Sequence, residues 1–356
     1  MDKKKVGIII VNYKDYAEKY LAECRDSLRA QSYPRELTQI YIVDNASTDK
    51  TRRFLTEHYP EAAVIPRPDG NYAAANNSGI KKALEDGCEL AAIANMDVKF
   101  APDWLKELVS AADSDPVIGI AQSRILLYPK KIGATPIINT LGNICHFLGF
   151  GFTSGYGEPD RLIEGLPEIS GYASGCSFII KKEALEKING YNEEFYMYHD
   201  DMEISLKARL AGYKIVLAPK SVVYHKYEFS RSVKMLYFME RNRYLVMLIF
   251  YRLPTILLIL PALIFMDFGM VIYSIPGGWL KTKISVYGYF MKSKHWRAIF
   301  RERKKIKALK KLPDKKLLKN FQGQILFQEI NNPVLKYIAN PLFNAYWKLV
   351  KKILIW

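Results

Sequence analysis

Two adjacent carboxylates, Asp200 and Asp201, lie in the segment YMYHDDMEISLKARLAGYKI, after an aromatic run and before a predicted helix. Asp200 and Glu203 have the spacing of a helix capping box, and Glu203 and Lys207 have that of an i,i+4 ion pair. Asp201, in the first turn, could instead face a cleft and accept a proton as a general base. The segment is predicted to divide its two acids between capping and proton transfer, with the aromatic residues before them forming an apolar wall beside the base.

A second polar cluster, DNASTD at Asp44–Asp49, ends the apolar run QIYIVDN. A carboxylate at the end of a strand can accept a hydrogen bond from a nucleobase, and backbone N–H groups at the following helix start can face a phosphate. The alternative is an ordinary strand-to-helix turn in which Ser47, Thr48 or Asp49 caps the helix. This motif alone does not decide between the two.

A third cluster, NMDV, places Asn95 and Asp97 on either side of Met96. In extended backbone both polar side chains would point the same way. Amide and carboxylate oxygens suit Mg²⁺ or Mn²⁺ held mainly by substrate phosphates. His225, which ends the run KIVLAPKSVVYH, could converge with Asp97 on the same ion. The alternatives are that Asp97 caps a helix near residues 102–111 and that His225 is structural.

Apolar runs that alternate with helical stretches must position these clusters. Strands are predicted at Val6–Tyr13, Gln39–Asn45 and Glu89–Val98, with a short one at AAVIPR, and KIVLAPKSVVYH is predicted to form a strand pair. Such alternation indicates an α/β fold with ligands at the carboxyl ends of the strands. Residues 123–172 are irregular and are predicted to form substrate-facing loops or short edge strands. Neither GxGxxG nor GxxxxGK[ST] occurs, which disfavours dinucleotide-binding Rossmann and P-loop sites.

The composition changes after about Lys226. The segment Leu253–Ile275 is long enough to cross a bilayer, although two prolines and Asp267 interrupt it. Residues 301–320 carry ten Lys/Arg and two acids, in a chain of 356 residues with net charge +16. This pattern predicts association with an anionic membrane surface, and the alternative is a buried helical hairpin.

The motifs together resemble family 2 glycosyltransferases with a GT-A fold, especially the rhamnosyltransferase-like branch. The resemblance covers about residues 6–225 and rests on the order VNYK, VDNASTD, GNYAAANNSGI, NMDV, SGYASGCSFIIKKEALEKINGYNEEFYMYHDDMEISLKARLAGYKI and VVYH. It implies a Rossmann-like, mostly parallel central sheet with flanking helices in residues 1–225. Residues 226–356 would form a helical, basic, membrane-associating region.

The resemblance also implies roles for single residues. Asp201 would be the catalytic base, with Asp200 beside it, and Asp97 and His225 would bind Mg²⁺ or Mn²⁺. The residues expected to bind the nucleotide or the rest of the donor are Asn12, Asp44, Asn45, Asn76, Asn77, Asn95 and Met96. The chain departs from the family pattern where Asn95 replaces the first Asp of a strict DxD and where Asp200 replaces Glu.

The implied function is inverting transfer of a hexosyl or deoxyhexosyl group from a UDP-, dTDP- or GDP-sugar to a hydroxyl of a lipid-linked or cell-surface glycan. The expected location is the cytoplasmic face of the cell membrane, and a homo-oligomer is compatible with the sequence. Two alternatives are a sugar-phosphate nucleotidyltransferase and a non-enzymatic protein that binds membrane or nucleic acid. Nucleic acid is not expected as a partner because the chain contains no recognised nucleic-acid motif.

Overall fold

The computed structural model describes residues 4–131, 133–228, 235–309, 311–326 and 333–356, and these residues form two compact units. The first unit comprises Met1–Asn143 and Thr153–Tyr227, and the second comprises Ile144–Phe152 and Glu228–Trp356. Residues Ile144–Phe152 therefore belong to the second unit, although they were predicted to lie in the catalytic domain.

The first unit is built on strands that alternate with helices. Its strands are β1 (Val6–Tyr13), β2 (Thr38–Asn45), β3 (Ala63–Arg67), β4 (Leu90–Ala94), β5 (Val98–Phe100), β6 (Ile118–Leu127), β7 (Ile138–Thr140), β10 (Ser177–Lys181) and β11 (Lys214–His225). Between β7 and β10, β8 (Asn143–Cys145) and β9 (Gly151–Thr153) pair with each other. The helices are α1 (Tyr16–Arg29), α2 (Asp49–His58), α3 (Tyr72–Glu85), α4 (Trp104–Asp113), α5 (Lys182–Ile188) and α6 (Asp200–Leu210).

Within the described residues, nine strands form one mixed sheet in the order β3-β2-β1-β4-β10-β6-β11-β5, with β7 beside β6. The strands from β3 to β4 are parallel, as are β6 and β11, and β10 runs antiparallel between the two groups. Continuous apolar runs such as VGIIIVNY form strands buried on both faces. Ile8 and Ile10 pack in the core with α1 and α4, whereas Ile9 faces Gly79 of α3. The predicted α/β fold is confirmed.

Two predicted strands differ from the observed ones. The strand predicted to continue to Val98 ends at Ala94, and a separate strand begins at Val98. The break occurs because β4 pairs with β1 and β10, whereas β5 pairs with β11. KIVLAPKSVVYH forms the single strand β11, with a register shift against β6 between Ala218 and Val222, and the predicted strand pair was wrong.

The second unit is helical. Its helices are α7 (Leu236–Phe250), α8 (Leu253–Ser274), α9 (Leu280–Phe290), α10 (Ser293–Leu309), α11 (Asp314–Leu317) and α12 (Asn340–Ile353). By length and composition, α8 could cross a membrane, and it has that property alone among the helices in the described part of the chain. It coincides closely with the apolar segment predicted at Leu253–Ile275. Pro254 lies in its first turn, where proline is tolerated, and Pro261 lies inside it.

Candidate active site

The carboxylate of Asp44 is held rigidly at the end of β2. Asn12, in register with it on β1, donates from Nδ2 to Asp44 Oδ1 at 2.8 Å and accepts the Ala17 N–H at 2.8 Å. Ser47 donates to Asp44 Oδ2, and Arg52 Nε lies 3.4 Å from that oxygen. Asp44 is fully buried. Asn12 therefore orients this acceptor, and Arg52 adds a cation that was not predicted from the sequence.

The turn after β2 also starts a helix, as the capping interpretation of DNASTD predicts, and nucleotide binding at this turn stays a prediction. Thr48 Oγ1 accepts the backbone N–H of Thr51 at 3.3 Å and caps α2. Ser47 turns back to Asp44 instead. The predicted capping is confirmed for Thr48, and it leaves the Asp44 carboxylate bound to other partners.

Asn45 at the end of β2 and Asn76 in α3 each use one side-chain polar atom in a hydrogen bond within the described residues. Asn45 Oδ1 accepts the Gly70 N–H at 3.0 Å, and Asn76 Nδ2 donates to the Tyr72 carbonyl at 3.1 Å. Within the described residues, Asn45 Nδ2 and Asn76 Oδ1 are buried and make no hydrogen bond. Buried polar groups normally find a partner, so these two atoms indicate where a polar ligand would complete the site.

Asn77 has a different environment from the one expected. Its Nδ2 donates to the Tyr191 carbonyl and to Glu193 Oε1, both at 3.0 Å, and its Oδ1 accepts the Tyr191 N–H at 2.8 Å. Asn71, which caps α3 by accepting the Ala74 N–H, donates to the Glu193 carbonyl at 2.9 Å. The side-chain amide of Asn77 therefore connects α3 to residues 191–193 through these hydrogen bonds.

The NMDV motif lies in the bend between β4 and β5. Asn95 Oδ1 accepts the hydroxyl of Tyr72 at 3.1 Å. Met96 is 2% exposed and packs in the hydrophobic core, so the expected donor contact through its side chain has no support. Asp97 is not the cap of the next helix, because α4 begins at Trp104 with Asp103 at its cap position. That alternative is excluded.

Asp97 and His225 are brought together as predicted. His225 Nε2 lies 3.4 Å from Asp97 Oδ1, and His225 Nδ1 lies 2.9 Å from Asn139 Oδ1. Since an amide oxygen only accepts, Nδ1 carries the proton toward Asn139 and Nε2 faces the carboxylate. Burial lowers the pKa of His225, but the neighbouring Cys176 and Asp97 more than offset this and raise it to about 10.

The Asp97–His225 pair has the donor set of a divalent-cation site. A metal-binding histidine usually fixes its second nitrogen on a carbonyl or carboxylate oxygen, which is the role that Asn139 has here. The described part of the chain holds no group of three or more His, Cys, Asp and Glu that could bind a metal by itself. The residues therefore fit an ion that takes its remaining ligands from substrate or water.

Asp200 and Asp201 begin α6, but Asp200 does not cap it. His199, with φ 60°, occupies the cap position, and the carbonyl of His199 accepts the Glu203 N–H at 2.8 Å. The predicted capping box was wrong, because Glu203 pairs with Lys207 at 2.9 Å and accepts the Asn192 N–H. The predicted i,i+4 pair is confirmed.

The two acids have different surroundings. Asp201 Oδ2 accepts the Gly175 N–H at 3.2 Å, and Oδ1 accepts the Met202 N–H at 2.9 Å. Burial raises the pKa of Asp201 to about 6, and these hydrogen bonds limit the rise. Burial and the charge of Asp201 raise the pKa of Asp200 well above its ordinary value. Asp201 is therefore the member of the pair that carries the charge near neutral pH.

The turn before β10 connects the acid pair to the NMDV bend. Gly175 donates to Asp201, and the carbonyl of Cys176 accepts the Asn95 N–H at 3.0 Å. Cys176 also contacts His225. Both residues lie in the quoted motif SGYASGCSF, yet their backbone roles could not be identified from residue type.

The side chains of the aromatic run before the acids have different surroundings, and the apolar wall beside the base stays a prediction. Phe195 is fully buried in the protein interior, and the Tyr196 hydroxyl donates to the Asp69 carbonyl at 3.0 Å. Tyr196, Tyr198 and His199 all have positive φ, between 60° and 64°, which is costly for residues with a Cβ. This strained segment brings the acid pair to the same edge as α3. Burial raises the pKa of Tyr72, and the charges of the two nearby acids raise it further.

Several known proteins are similar to this chain in sequence. The O-antigen biosynthesis protein RfbC of Myxococcus xanthus is 28% identical over 232 residues, which are 63% of this chain and 17% of that protein. An N-acetylglucosaminyl-diphospho-decaprenol L-rhamnosyltransferase of Mycobacterium tuberculosis is 25% identical over 205 residues, 52% of this chain and 66% of the enzyme. An uncharacterized protein, y4gI, of Sinorhizobium fredii is 31% identical over 46% of this chain and 18% of its own length. The chain thus spans less than two thirds of each of these relatives.

A solved structure and a family model give the fold and the family. The crystal structure of GalNAc-T7 with UDP, GalNAc and Mn²⁺ superposes with a TM-score of 0.51 at 17% identity, covering 63% of this chain and 43% of that one, which shows a shared fold. Residues 7–188, about half of the chain, match the model of glycosyl transferase family 2. The chain is therefore a member of glycosyltransferase family 2.

Proposed function

We propose that this protein is an inverting glycosyltransferase that moves a sugar from a nucleotide diphosphate-sugar to a hydroxyl group. The observation that carries the proposal is the different environment of Asp200 and Asp201. A carboxylate with a pKa of about 6 is ionised at neutral pH and is still basic enough to accept a proton in the transition state. Gly175 orients it at the edge of the sheet where the nucleotide-side residues also end.

The donor nucleotide would bind at the ends of β1 and β2. The fixed Asp44 carboxylate would accept an N–H from the base, and Asn12 and Arg52 would hold that carboxylate in place. The unpartnered atoms of Asn45 and Asn76 would bind polar groups of the donor. Asn77 would position the segment after α5, since its amide is engaged there.

Asp97 and His225 would hold a Mg²⁺ or Mn²⁺ ion, which would supply positive charge beside the leaving diphosphate. Asn139 would keep the imidazole of His225 in the orientation that ligation needs. Asn95 would support the bend through its bond with Tyr72. The GalNAc-T7 structure contains UDP and Mn²⁺, which supports this assignment by analogy of fold.

Asp201 would take the proton from the acceptor hydroxyl as that oxygen attacks the anomeric carbon. The new bond forms on the face opposite the diphosphate, so the bond to the diphosphate breaks with inversion. Asp200, kept neutral by burial and by its neighbour, would leave Asp201 as the charged group.

The acceptor would be a lipid-linked or cell-surface glycan, at the cytoplasmic face of the membrane. One relative is named as acting on a diphospho-decaprenol-linked sugar and another as an O-antigen biosynthesis protein. The apolar helix α8 and the basic segment 301–320 support a membrane location. A deoxyhexose such as rhamnose is the sugar we favour, on the basis of the rhamnosyltransferase relative.

The test compares Asp201→Asn with Asp103→Asn, a substitution at an exposed acid outside the site. Donor binding is measured by thermal shift with UDP-, dTDP- and GDP-sugars, and turnover by nucleoside diphosphate release with a lipid-linked acceptor. Asp201→Asn should retain donor binding and lose at least about a hundredfold in turnover, as loss of a general base does. Asp103→Asn should retain both. Wild-type turnover in a folded, donor-binding Asp201→Asn protein would remove the base assignment.

The metal assignment has its own test. Donor binding by thermal shift, with and without Mn²⁺, is compared in the wild type and in Asp97→Asn. We expect Mn²⁺ to enhance donor binding in the wild type and to have little effect in the variant. Full activity and donor binding after exhaustive chelation would rule out the ion.

A further inference from the structure

One side of helix α8 is a long exposed apolar stripe, here called the apolar face. It consists of Leu253, Leu257, Leu260, Ile264, Phe268 and Ile272, each between 38% and 66% exposed. Their spacing of three or four residues places them on one side of the helix over its whole length. Exposed apolar surface of this extent is unusual in a protein that remains in water and marks an interaction site.

The opposite side of α8 is buried within the second unit. Thr255, Ile259, Ala262 and Met266 repeat at the same helical spacing and are at most 7% exposed. The helix is therefore packed against its own unit on this side and presents the apolar face outward.

Polar groups tie α8 to this unit at two places. Near its start, Asp314 Oδ2 accepts the Arg252 N–H at 2.7 Å and the Thr255 hydroxyl at 2.6 Å. Beyond its middle, Asp267 Oδ1 lies 2.5 Å from Lys283 Nζ and 3.5 Å from Arg243. If α8 crossed a bilayer, these charged partners would have to enter the hydrocarbon with it, which is costly.

Helix α12 extends the apolar surface. It packs on α8 through the rings of Phe265 and Phe343, whose centroids are 5.7 Å apart, and through the Tyr346 hydroxyl, which donates to the Leu258 carbonyl. Its outward residues Leu342 and Leu349 are each 55% exposed. Two adjoining helices of the same unit therefore present apolar side chains.

The same unit carries a row of exposed cations. On α10, Lys294, Arg297, Arg301 and Lys304 are exposed and follow helical spacing. Phe300, beside them in sequence, is 61% exposed. Basic residues near exposed apolar and aromatic side chains are complementary to an anionic lipid surface, where the cations meet headgroups and the apolar groups meet the acyl boundary.

We propose that the second unit docks on an anionic lipid bilayer with α8 lying in the plane of the membrane and its apolar face inserted. This deepens the membrane location given under the proposed function and rests on that location. Docking on the membrane does not require that the protein transfer a sugar. The tests below contain no sugar or nucleotide, so their failure is distinguishable from failure of the transferase assignment.

The first experiment is flotation of the full chain with vesicles of phosphatidylcholine, with and without phosphatidylglycerol. Leu257→Gln, Ile264→Gln and Phe268→Gln together should weaken binding at least about a hundredfold, because three apolar side chains no longer leave water. These residues are more than half exposed, so the variant is expected to fold. Unchanged flotation of this variant would overturn the proposal.

A charge-matched pair of variants tests the lipid selectivity. Neutralising Arg297, Arg301 and Lys304 to Gln should weaken binding to phosphatidylglycerol vesicles about a hundredfold, since each cation near an anionic surface contributes about fivefold. The control neutralises three exposed lysines of the first unit, Lys50, Lys81 and Lys106. It should change binding by no more than about twofold. Equal losses in the two variants would contradict the proposed surface.

The second experiment measures depth. Single substitutions Leu253→Cys, Ile264→Cys and Ile275→Cys are labelled with an environment-sensitive fluorophore and quenched by spin labels at set positions along the lipid chains. The native cysteines in the described residues are buried, so the new, exposed thiol reacts selectively. Equal shallow depth at all three positions is expected. A deep label at residue 264 with the two ends in opposite leaflets would show a crossing helix and overturn the in-plane arrangement.

A second copy of the chain is the competing occupant of the apolar face. Sedimentation of the wild type and of the Leu257, Ile264 and Phe268 variant decides between them. A wild-type dimer that becomes a monomer in the variant, together with absence of vesicle binding by the wild type, would identify a self-association surface and reject the membrane. The same sedimentation for both proteins, together with loss of flotation in the variant, supports membrane docking.

Discussion

Asp200 and Asp201 are neighbouring residues of one type, and their different surroundings give their carboxyl groups different pKa values. Asp201 accepts two backbone N–H groups, from Gly175 and Met202, which stabilise its ionised form. Asp200 is 5% exposed and lies beside that charge, so its neutral form is favoured. Two adjacent carboxylates therefore need not repel each other at neutral pH, because one of them keeps its proton.

At the residue scale, we expect the activity to depend on pH through the protonation of Asp201. Because a base must be unprotonated, kcat/KM should fall as pH drops through about 6, the pKa of Asp201. The apparent value belongs to the interacting pair of acids. Initial rates from pH 5 to 8 measure it, with the thermal midpoint followed over the same range to exclude unfolding. A profile that is flat down to pH 5 would contradict the assignment.

The second prediction is that Asp200→Asn stabilises the protein at neutral pH. A carboxyl whose folded pKa is raised contributes stability below its unfolded pKa of about 4 and loses it as pH rises through the folded value. Asn does not titrate, so the advantage of the variant should be near zero at pH 4 and grow steadily toward neutral pH. Urea unfolding at both pH values measures it, with Asp103→Asn as the exposed control. An advantage that does not depend on pH would contradict the mechanism.

At the scale of elements, the sequence predicts what depends on local pattern. Continuous apolar runs identify β1 and β2, and the composition identifies α8. The bend at Asn95–Asp97 was missed because it results from β4 and β5 pairing with different strands. The start of α6 was misplaced for a similar reason, since the left-handed backbone at His199 follows no local signal in the residue types.

In the candidate site, too, some features follow from the local sequence and others depend on distant contacts. Asp97 and His225 could be paired from the sequence because both follow apolar runs, but Asn139 comes from an irregular stretch and was not identified. Asn77 was expected at the donor because the family resemblance implies it, whereas tertiary packing engages its amide with the backbone of Tyr191. Side-chain types are visible in a sequence, and the direction in which each side chain points depends on distant contacts.

At the scale of elements, alanine substitutions at two helical glycines, Gly79 and Gly269, should have opposite effects on stability. In α3, a Cβ on Gly79 would lie 2.5 Å from Ile9 Cγ2, so Gly79→Ala should push α3 from the sheet and destabilise by about 1–3 kcal/mol. In α8, a Cβ on Gly269 meets nothing within 4 Å, so Gly269→Ala should stabilise by up to about 1 kcal/mol through helix propensity. Thermal or urea unfolding distinguishes the two. Equal effects of the same sign would show that the close packing at Gly79 does not determine the stability of α3 against the sheet.

At the scale of the whole molecule, the two compact units are stabilised in different ways. The first has a wide sheet with apolar layers, whereas the second has a buried ionic cluster among its helices. In that cluster Lys283, fully buried, contacts Glu240 at 2.8 Å and Asp267 at 2.5 Å. Buried ion pairs are costly to break because the remaining charge has no partner.

Lys283→Met should therefore destabilise the second unit by about 3–5 kcal/mol. Hydrogen exchange should accelerate in α7, α8 and α9 and remain unchanged in the strands of the first unit. Lys81→Met, at an exposed lysine near Glu85, is the control and should cost less than about 1 kcal/mol. Uniform acceleration in both units would show that they unfold together.

The antiparallel strand β10 has a consequence for the order in which the chain becomes active. It can be inserted only after β4 and β6 exist, since it pairs with both, and its partner Ala94 lies far earlier in the chain than Ser177. Pairings between distant segments form slowly. A chain emerging from the ribosome would thus assemble β1 to β4 early. The turn at Gly175, whose N–H binds Asp201, would come late, so the carboxylate that we propose as the base would be held in place only after those strands have formed.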